Sequence, residues 1–283
     1  MTNTSPGTQP AHPSDLLLGI TTYNRLDTVA LTARSLRHAD GVAEVGILLI
    51  DDASTEYGLE ALRPLFPPQT QFLRNAVNSG RADFAAHGLM RAFVEQRSEA
   101  ALVILDSDLL VARDFLATAL AVFPRTDGLL SLLNAHSHPG VMRGGLLVKQ
   151  SVGFAGTVWS RALVEEVLRE VPPTDRFDWD ICDHLRATGR QVFCLPDSAV
   201  QHVGLLVGQN SRLLSADYGL GFTDTSWYNL SVLQEMLLFG VRQELRTAGA
   251  ALGRLAEMEA RVEALQAEVA QLRRQVRSKR HRS

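Results

Sequence analysis

Short apolar runs alternate along the chain with longer segments in which apolar residues recur at helical spacing. The runs at 16–21, 45–50, 71–74, 101–105, 129–133 and 191–195 read as strands, each bounded by polar or turn-forming residues. Segments 28–38, 81–96, 115–122, 161–170 and 181–188 read as helices, the last stopped by Gly189. This alternation predicts an α/β fold in which strand–helix units feed a mostly parallel sheet flanked by helices.

Beyond about residue 245 the pattern changes. Leu255, Met258, Val262, Leu265, Val269, Leu272 and Val276 fall at alternating spacings of three and four, a heptad seam. With Leu255 at position a, the later a positions are all Val and the d positions are Leu or Met, which favours a parallel two-stranded coil. The flanks agree: Arg254 would meet Glu259 of a second copy, and Glu268 would meet Arg273. The other reading is an amphipathic helix packed on its own domain. The expected organisation is a disordered leader over 1–14, a catalytic-sized domain over 15–235, and a helical coil with a basic tail over 236–283.

Composition narrows the classes. No apolar run approaches the ~20 residues of a membrane-spanning helix, and the N-terminus lacks the pattern of a secretory signal. Cys182 and Cys194 lack CxxC spacing, so neither a disulfide framework nor a structural zinc site is indicated, and a cytoplasmic location is expected. The formal charge of −3 hides an asymmetry. The last eleven residues carry six bases and no acid, leaving 22 bases against 31 acids in the body, a balance of −9. An acidic body argues against nucleic acid as a partner, while the basic tail suits peripheral contact with an anionic membrane.

In an open parallel sheet, ligands bind beyond the carboxyl ends of the strands. Four polar stretches fall there: Thr21-Thr22-Tyr23-Asn24-Arg25, Asp51-Asp52-Ala53-Ser54, Asn78-Ser79-Gly80-Arg81 and Asp106-Ser107-Asp108. Each alone has a turn or helix-capping explanation. Together they suggest more, because Asp106 and Asp108 flank one residue and both carboxylates can approach a single hard divalent cation that keeps positions open for phosphates. Neither a GxxxxGK[ST] loop nor a GxGxxG turn is present.

The series TTYNR, LLIDDAS, NSGRA, LDSD, GFAGTVWS and FDWDICDHLRATG, in that order over 15–204, resembles a GT-A-fold glycosyltransferase and is most similar to glycosyltransferase family 2. The resemblance implies sugar transfer from a nucleotide-diphosphate sugar to an acceptor hydroxyl, by inversion, with Mn²⁺ or Mg²⁺. It implies a nucleoside site at Thr21, Tyr23 and Asp52, with Arg25 and Asp51 as weaker contributors, and Arg81 near the diphosphate. Asp106 and Ser107 would face the ribose or diphosphate, and Asp108 with His202 would hold the metal. Gly156, within Gly153–Thr157, matches a stretch that approaches the donor sugar. Family members carry a Glu-Asp pair where this chain has Phe177-Asp178, so Asp178 becomes the leading base, Asp180 the next and Asp183 a distant third. Two rival readings are a nucleotidyltransferase and an inactive sugar-nucleotide-binding scaffold. The first usually carries a glycine-rich loop absent from TTYNR; the missing glutamate motivates the second.

The stretch 205–226 reads as a mobile lid or an irregular linker, with Gly208, Gly219 and Gly221 as hinges and Asn210, Ser211 and Arg212 reaching the phosphates. Trp159, Trp179, Trp227 and Tyr228 are packing residues first and sugar platforms second. His136 and His138 read as loop residues beside the turn at Pro139-Gly140.

Overall fold

A computed structural model describes residues 9–204, 218–222, 224, 229–231, 233–234, 238 and 248–266. The chain divides into two compact units, Met1–Val232 and Leu233–Ser283.

In the first unit the strands are β1 (Leu16–Thr22), β2 (Gly46–Asp51), β3 (Thr70–Arg74), β4 (Ala101–Asp106), β5 (Leu109–Val111), β6 (Leu129–Ser131), β7 (Gly140–Arg143), β8 (Leu146–Lys149), β9 (Thr157–Ser160), β10 (Val192–Cys194) and β11 (Val200–His202). The helices are α1 (Leu26–His38), α2 (Leu59–Leu62), α3 (Ala82–Gln96), α4 (Phe115–Val122), α5 (Arg161–Glu170) and α6 (Phe177–Ala187). Nine strands form one sheet in the order β3-β2-β1-β4-β9-β6-β10-β8-β7, and β5 pairs with β11 in a second. The first four strands of the large sheet are mutually parallel, while β9 runs antiparallel to both β4 and β6.

Helical cover on both faces explains why β1, β2 and β4 read as continuous apolar runs. Leu16, Leu18 and Ile20 of β1 join Val29, Ala33 and Leu36 of α1 on one side. Leu17 points the other way, into a core with Leu89, Met90 and Phe93 of α3, Val164 of α5 and Ile181 of α6. Strand order reverses between β1 and β4, so their carboxyl ends splay apart and open a crevice at that switch point.

All six expected strands are present within a residue or two at most ends. The five strands not expected are short or lie in segments read as loops; β9, for instance, follows directly on the glycine-containing stretch. Helix α6 begins at Phe177 rather than 181, so Asp178 and Asp180 occupy its first turn instead of preceding it. That early start follows from burial of Phe177 and Ile181 one turn apart on the same core.

In the second unit, residues 248–266 form a continuous helix in which every residue is exposed, including Leu252, Leu255, Met258, Val262 and Leu265. Residues 269–276 of the expected seam lie outside the described residues. Among the described residues, no helix is long and apolar enough to cross a membrane.

Candidate active site

A cavity of about 550 Å³ opens beyond the carboxyl ends of β1, β2 and β4. Its first wall is the turn after β1. Thr21, Thr22, Tyr23 and Arg25 line it, and the backbone at Asn24 and Arg25 is left-handed, with φ of 55° and 59°. Asn24 tolerates that conformation because its side-chain oxygen accepts the backbone N–H groups of Thr55 and Glu56. The twist brings Arg25 Nη1 to 3.0 Å from Asp108 Oδ2.

Asp51 and Asp52 separate in function because successive residues at a strand end point to opposite sides. Asp52 lines the cavity, and its carboxylate accepts hydrogen bonds from Asn75 Nδ2, Asn78 Nδ2 and the Ser79 backbone and hydroxyl. Asp51 is fully buried away from the cavity. It accepts from the Ser54 N–H and pairs with Arg74 Nη1 at 2.6 Å, while Arg74 also donates to the carbonyls of Ser54 and Tyr57. The expected nucleoside contact at Asp51 is therefore replaced by a clamp on the loop after β2.

The acidic centre closes the floor. Asp106 ends β4, and Ser107 and Asp108 follow in the turn to β5, all three lining the cavity. Pairing of β5 with β11 carries His202 to this turn, with Nε2 at 3.2 Å from Asp108 Oδ1. Burial would raise the Asp108 carboxyl, but the His202 hydrogen bond and charge, together with Arg25, outweigh it and hold the group below its ordinary range. Asp106 shifts the other way, to about 6, first through burial and then through the charge of Asp108. Gly204 completes the turn: a Cβ there would overlap Asp108 Oδ2.

Carboxylate oxygens and one imidazole nitrogen are donors that suit Mn²⁺, and the oxygens suit Mg²⁺. The accumulated negative charge at Asp106 and Asp108 favours a cation further. Among the described residues, no group of three His, Cys, Asp or Glu side chains forms a ready-made metal cage.

The opposite wall comes from the first turns of α3 and α6. Asp178 lines the cavity, and its carboxyl rises to about 6 through burial first, then the charges of Asp83 and Asp180. Asp180 does not line the cavity; its carboxylate accepts the Thr174 hydroxyl and ties down the approach to α6. Asp183 pairs with Arg186 along the exposed helix face. Phe177 is fully buried against Phe154 and His87. Arg81 lines the cavity and donates from Nη2 to the Asp175 carbonyl at 3.3 Å.

Gly156 does not line the cavity. Its φ is 66°, and a Cβ would strike Val200 Cγ2, so it is a packing glycine beneath β11 rather than a donor contact. The neighbouring Gly153, Phe154 and Ala155 take that place on the wall. Trp159 is buried, with Nε1 donating to Thr157 Oγ1, whereas Trp179 is 43% exposed on the cavity rim beside His138. His138, read from sequence as a loop residue, thus reaches the wall.

Gly219 and Gly221 are anchored rather than free: Gly219 bridges to Ala135 and donates to Gln201 Oε1, and Gly221 lies against Asp197. Gly208, Asn210, Ser211, Arg212, Trp227 and Tyr228 lie outside the described residues. Asn78, from the third polar stretch, lines the cavity, as do Asp83 and Gly204, which the sequence pattern does not single out. Asp83 had a signal in hindsight, since it follows Arg81 by two residues in the first turn of the same helix.

Residues 18–154 match the family described as Glycosyl transferase family 2. The match covers just under half of the chain, and the fold is of the GT-A type. The matched span contains the β1 turn, Asp52, Arg81 and the acidic centre, and ends before Asp178 and His202. Among solved structures, the chain is similar to the mannosyltransferase PcManGT from Pyrobaculum calidifontis, in complex with GDP-Man and Mn²⁺: TM-score 0.50, 18% identity, covering 69% of this chain and 58% of that one. It is also similar to residues 1–349 of S. aureus TarS in complex with UDP-GlcNAc: TM-score 0.49, 17% identity, covering 65% of this chain and 57% of that one. The chain thus spans less than two thirds of either neighbour's length. No curated protein matches the chain significantly.

Proposed function

We propose that the chain catalyses metal-dependent, inverting transfer of a sugar from a nucleotide-diphosphate donor to an acceptor hydroxyl. The observation that carries this reading is the placement of Asp178 across one cavity from Asp106 and Asp108. One side is built for a charged leaving group, and the other holds a carboxyl poised near 6 to take a proton. In this reading Thr21, Tyr23 and Asp52 hold the nucleoside, and Arg25 and Arg81 approach the diphosphate. Asp108 and His202 would hold Mn²⁺ or Mg²⁺, which when bound supplies a Lewis acid for the departing diphosphate, and Asp106 faces the ribose or diphosphate. Ser107 lies between the two acids and is buried at the cavity floor. Asp178 takes the proton of the acceptor hydroxyl as that oxygen attacks the anomeric carbon, and one displacement from the opposite face inverts the centre.

The inactive-scaffold reading rested on the missing glutamate at Phe177. Phe177 itself is buried in the core, and Asp178 beside it still presents a carboxyl to the cavity. The neighbour bound to GDP-Man and Mn²⁺ supports the choice of donor class and ion.

The C-terminal helix joins two copies in this proposal, because a fully exposed helix carrying five large apolar side chains is stable when that stripe is covered. The 15–235 catalytic region and the 236–283 coil are then separate functional parts, and the basic tail is available to an anionic surface.

The test is nucleoside diphosphate release from UDP-sugars, GDP-mannose and dTDP-sugars with and without Mn²⁺. Release that requires the ion, is lost in Asp108→Ala, and is lost in Asp178→Asn with donor binding retained supports the proposal. No release from any donor refutes the transferase reading; retained turnover in Asp178→Asn refutes the assignment of the base.

A further inference from the structure

Both oxygens of the Asp108 carboxylate are engaged by cationic or ionisable partners. Oδ1 lies 3.2 Å from His202 Nε2, and Oδ2 accepts Arg25 Nη1 at 3.0 Å. Oδ2 has little room to turn away, since Gly204 packs so closely that a Cβ there would overlap it. The two partners are mounted differently. His202 belongs to β11, whose pairing with β5 fixes it beside the turn, and its side chain is 16% exposed. Arg25 reaches in from the turn after β1 on a long unbranched stem, and its side chain is 31% exposed. Its backbone is held on both sides: the N–H donates to Glu56 Oε2 at 2.9 Å, and the carbonyl accepts the N–H groups of Thr28 and Val29. The guanidinium can therefore leave Asp108 by side-chain rotation alone, and the fixed backbone keeps it within the cavity that it lines.

We propose that Arg25 is a tethered counter-cation for Asp108, a switch that gives way to the divalent ion and passes to the phosphates of the donor. The inference rests on the reading of Asp108 and His202 as the residues that hold the ion. Two cations beside one carboxylate oxygen repel each other, and a buried site screens that repulsion poorly. Asp108 is buried, so ion and guanidinium compete for it. Arg25 is the partner that yields, being more exposed and less confined than His202. Once released, a guanidinium is a forked donor suited to phosphate oxygens.

Binding of the ion alone then breaks the Arg25–Asp108 pair and leaves the guanidinium without an anion. Ion and diphosphate arriving together supply one. The same residue therefore opposes the free ion and favours the ion joined to a nucleoside diphosphate, a coupling between the two ligands that acts through one side chain.

The first readout needs neither donor nor turnover: manganese alone is titrated into the full chain, and free Mn²⁺ is followed by electron paramagnetic resonance. Arg25→Ala and Arg25→Gln are expected to bind Mn²⁺ roughly three- to tenfold tighter than the parent, and Arg25→Lys, which keeps the charge, to stay within about twofold of it. Adding Arg25→Ala to Asp108→Asn should give no tightening, because the contested carboxylate is gone. The second readout is calorimetry with UDP and GDP at saturating Mn²⁺, in which Arg25→Ala should lose roughly fivefold or more in affinity for the nucleotide the parent binds.

Mn²⁺ affinity in Arg25→Ala and Arg25→Gln equal to or weaker than the parent's, with circular dichroism unchanged, overturns the competition. Tightening that persists in the Asp108→Asn background overturns its assignment to Asp108. Parent-like nucleotide affinity in Arg25→Ala, or a parent that binds neither UDP nor GDP, overturns the passage to the phosphates. If Arg25→Ala does not fold, Arg25→Gln carries both readouts. Unchanged Mn²⁺ affinity alongside Mn²⁺-dependent nucleoside diphosphate release would sink this inference and leave the transferase reading standing; tightened Mn²⁺ binding with no release from any donor would do the reverse.

Discussion

Replacing Asp178 by Asn should abolish turnover and make the protein more stable at neutral pH. The carboxyl is raised from 3.8 to about 6 by burial, then by Asp83 and Asp180. A raised folded value means that the ionised form is disfavoured by the fold. Above about pH 6 the charged Asp178 therefore subtracts from stability. As pH falls through about 6 the folded protein takes up a proton, and the penalty is gone once pH drops below the ordinary value of 3.8. At about 1.4 kcal/mol per unit, the full shift corresponds to about 3 kcal/mol. The group is partly open to the cavity, and solvent screening reduces this to about 1–2 kcal/mol. Asparagine keeps the shape and loses the charge. Urea unfolding should show Asp178→Asn more stable than the parent by that amount near pH 7.5, with the gain shrinking to within about 0.5 kcal/mol near pH 4. A destabilised variant at pH 7.5, or a gain of the same size at both pH values, would refute the reasoning that burial and like charge strain this carboxyl.

Four further outcomes follow from the geometry. Gly204→Ala places a methyl against Asp108 Oδ2; Mn²⁺-dependent release should fall at least tenfold, with about 1–3 kcal/mol of stability lost, read by manganese titration and thermal melting. Arg74→Ala leaves Asp51 buried without its cation, and should cost about 2–4 kcal/mol in urea unfolding, most of it recovered when Asp51→Asn is added. Treatment with EDTA should stop nucleoside diphosphate release, and excess Mn²⁺ should restore it; release unaffected by chelation would remove the metal from the mechanism. Val262→Glu puts a charge in the exposed apolar stripe of the C-terminal helix, and light scattering should report a dimer for the parent and a monomer for the variant.

Long-period features were readable along the chain because they depend on local pattern alone. Continuous apolar β1, β2 and β4 announced a sheet covered on both faces, and polar residues after them marked its ligand-binding edge. The short strands β5 and β11 carry no such pattern, being three residues each, and exist because they pair with one another. That pairing delivers His202 to Asp108 across nearly a hundred residues of chain.

Which acid serves the cavity was a matter of direction in space. Asp51 and Asp52 are neighbours of the same type, yet one is sealed under Arg74 and the other faces the crevice. Asp178 and Asp180 share one helical turn, but two residues along a helix rotate a side chain by about 200°, so burial of Phe177 and Ile181 turns only Asp178 inward. Residue type and spacing told us that carboxylates, a histidine and arginines were available near strand ends. Assignment of each one to cavity, clamp or cap came from packing between segments distant in sequence, because side-chain direction depends on the neighbours that fill the other side.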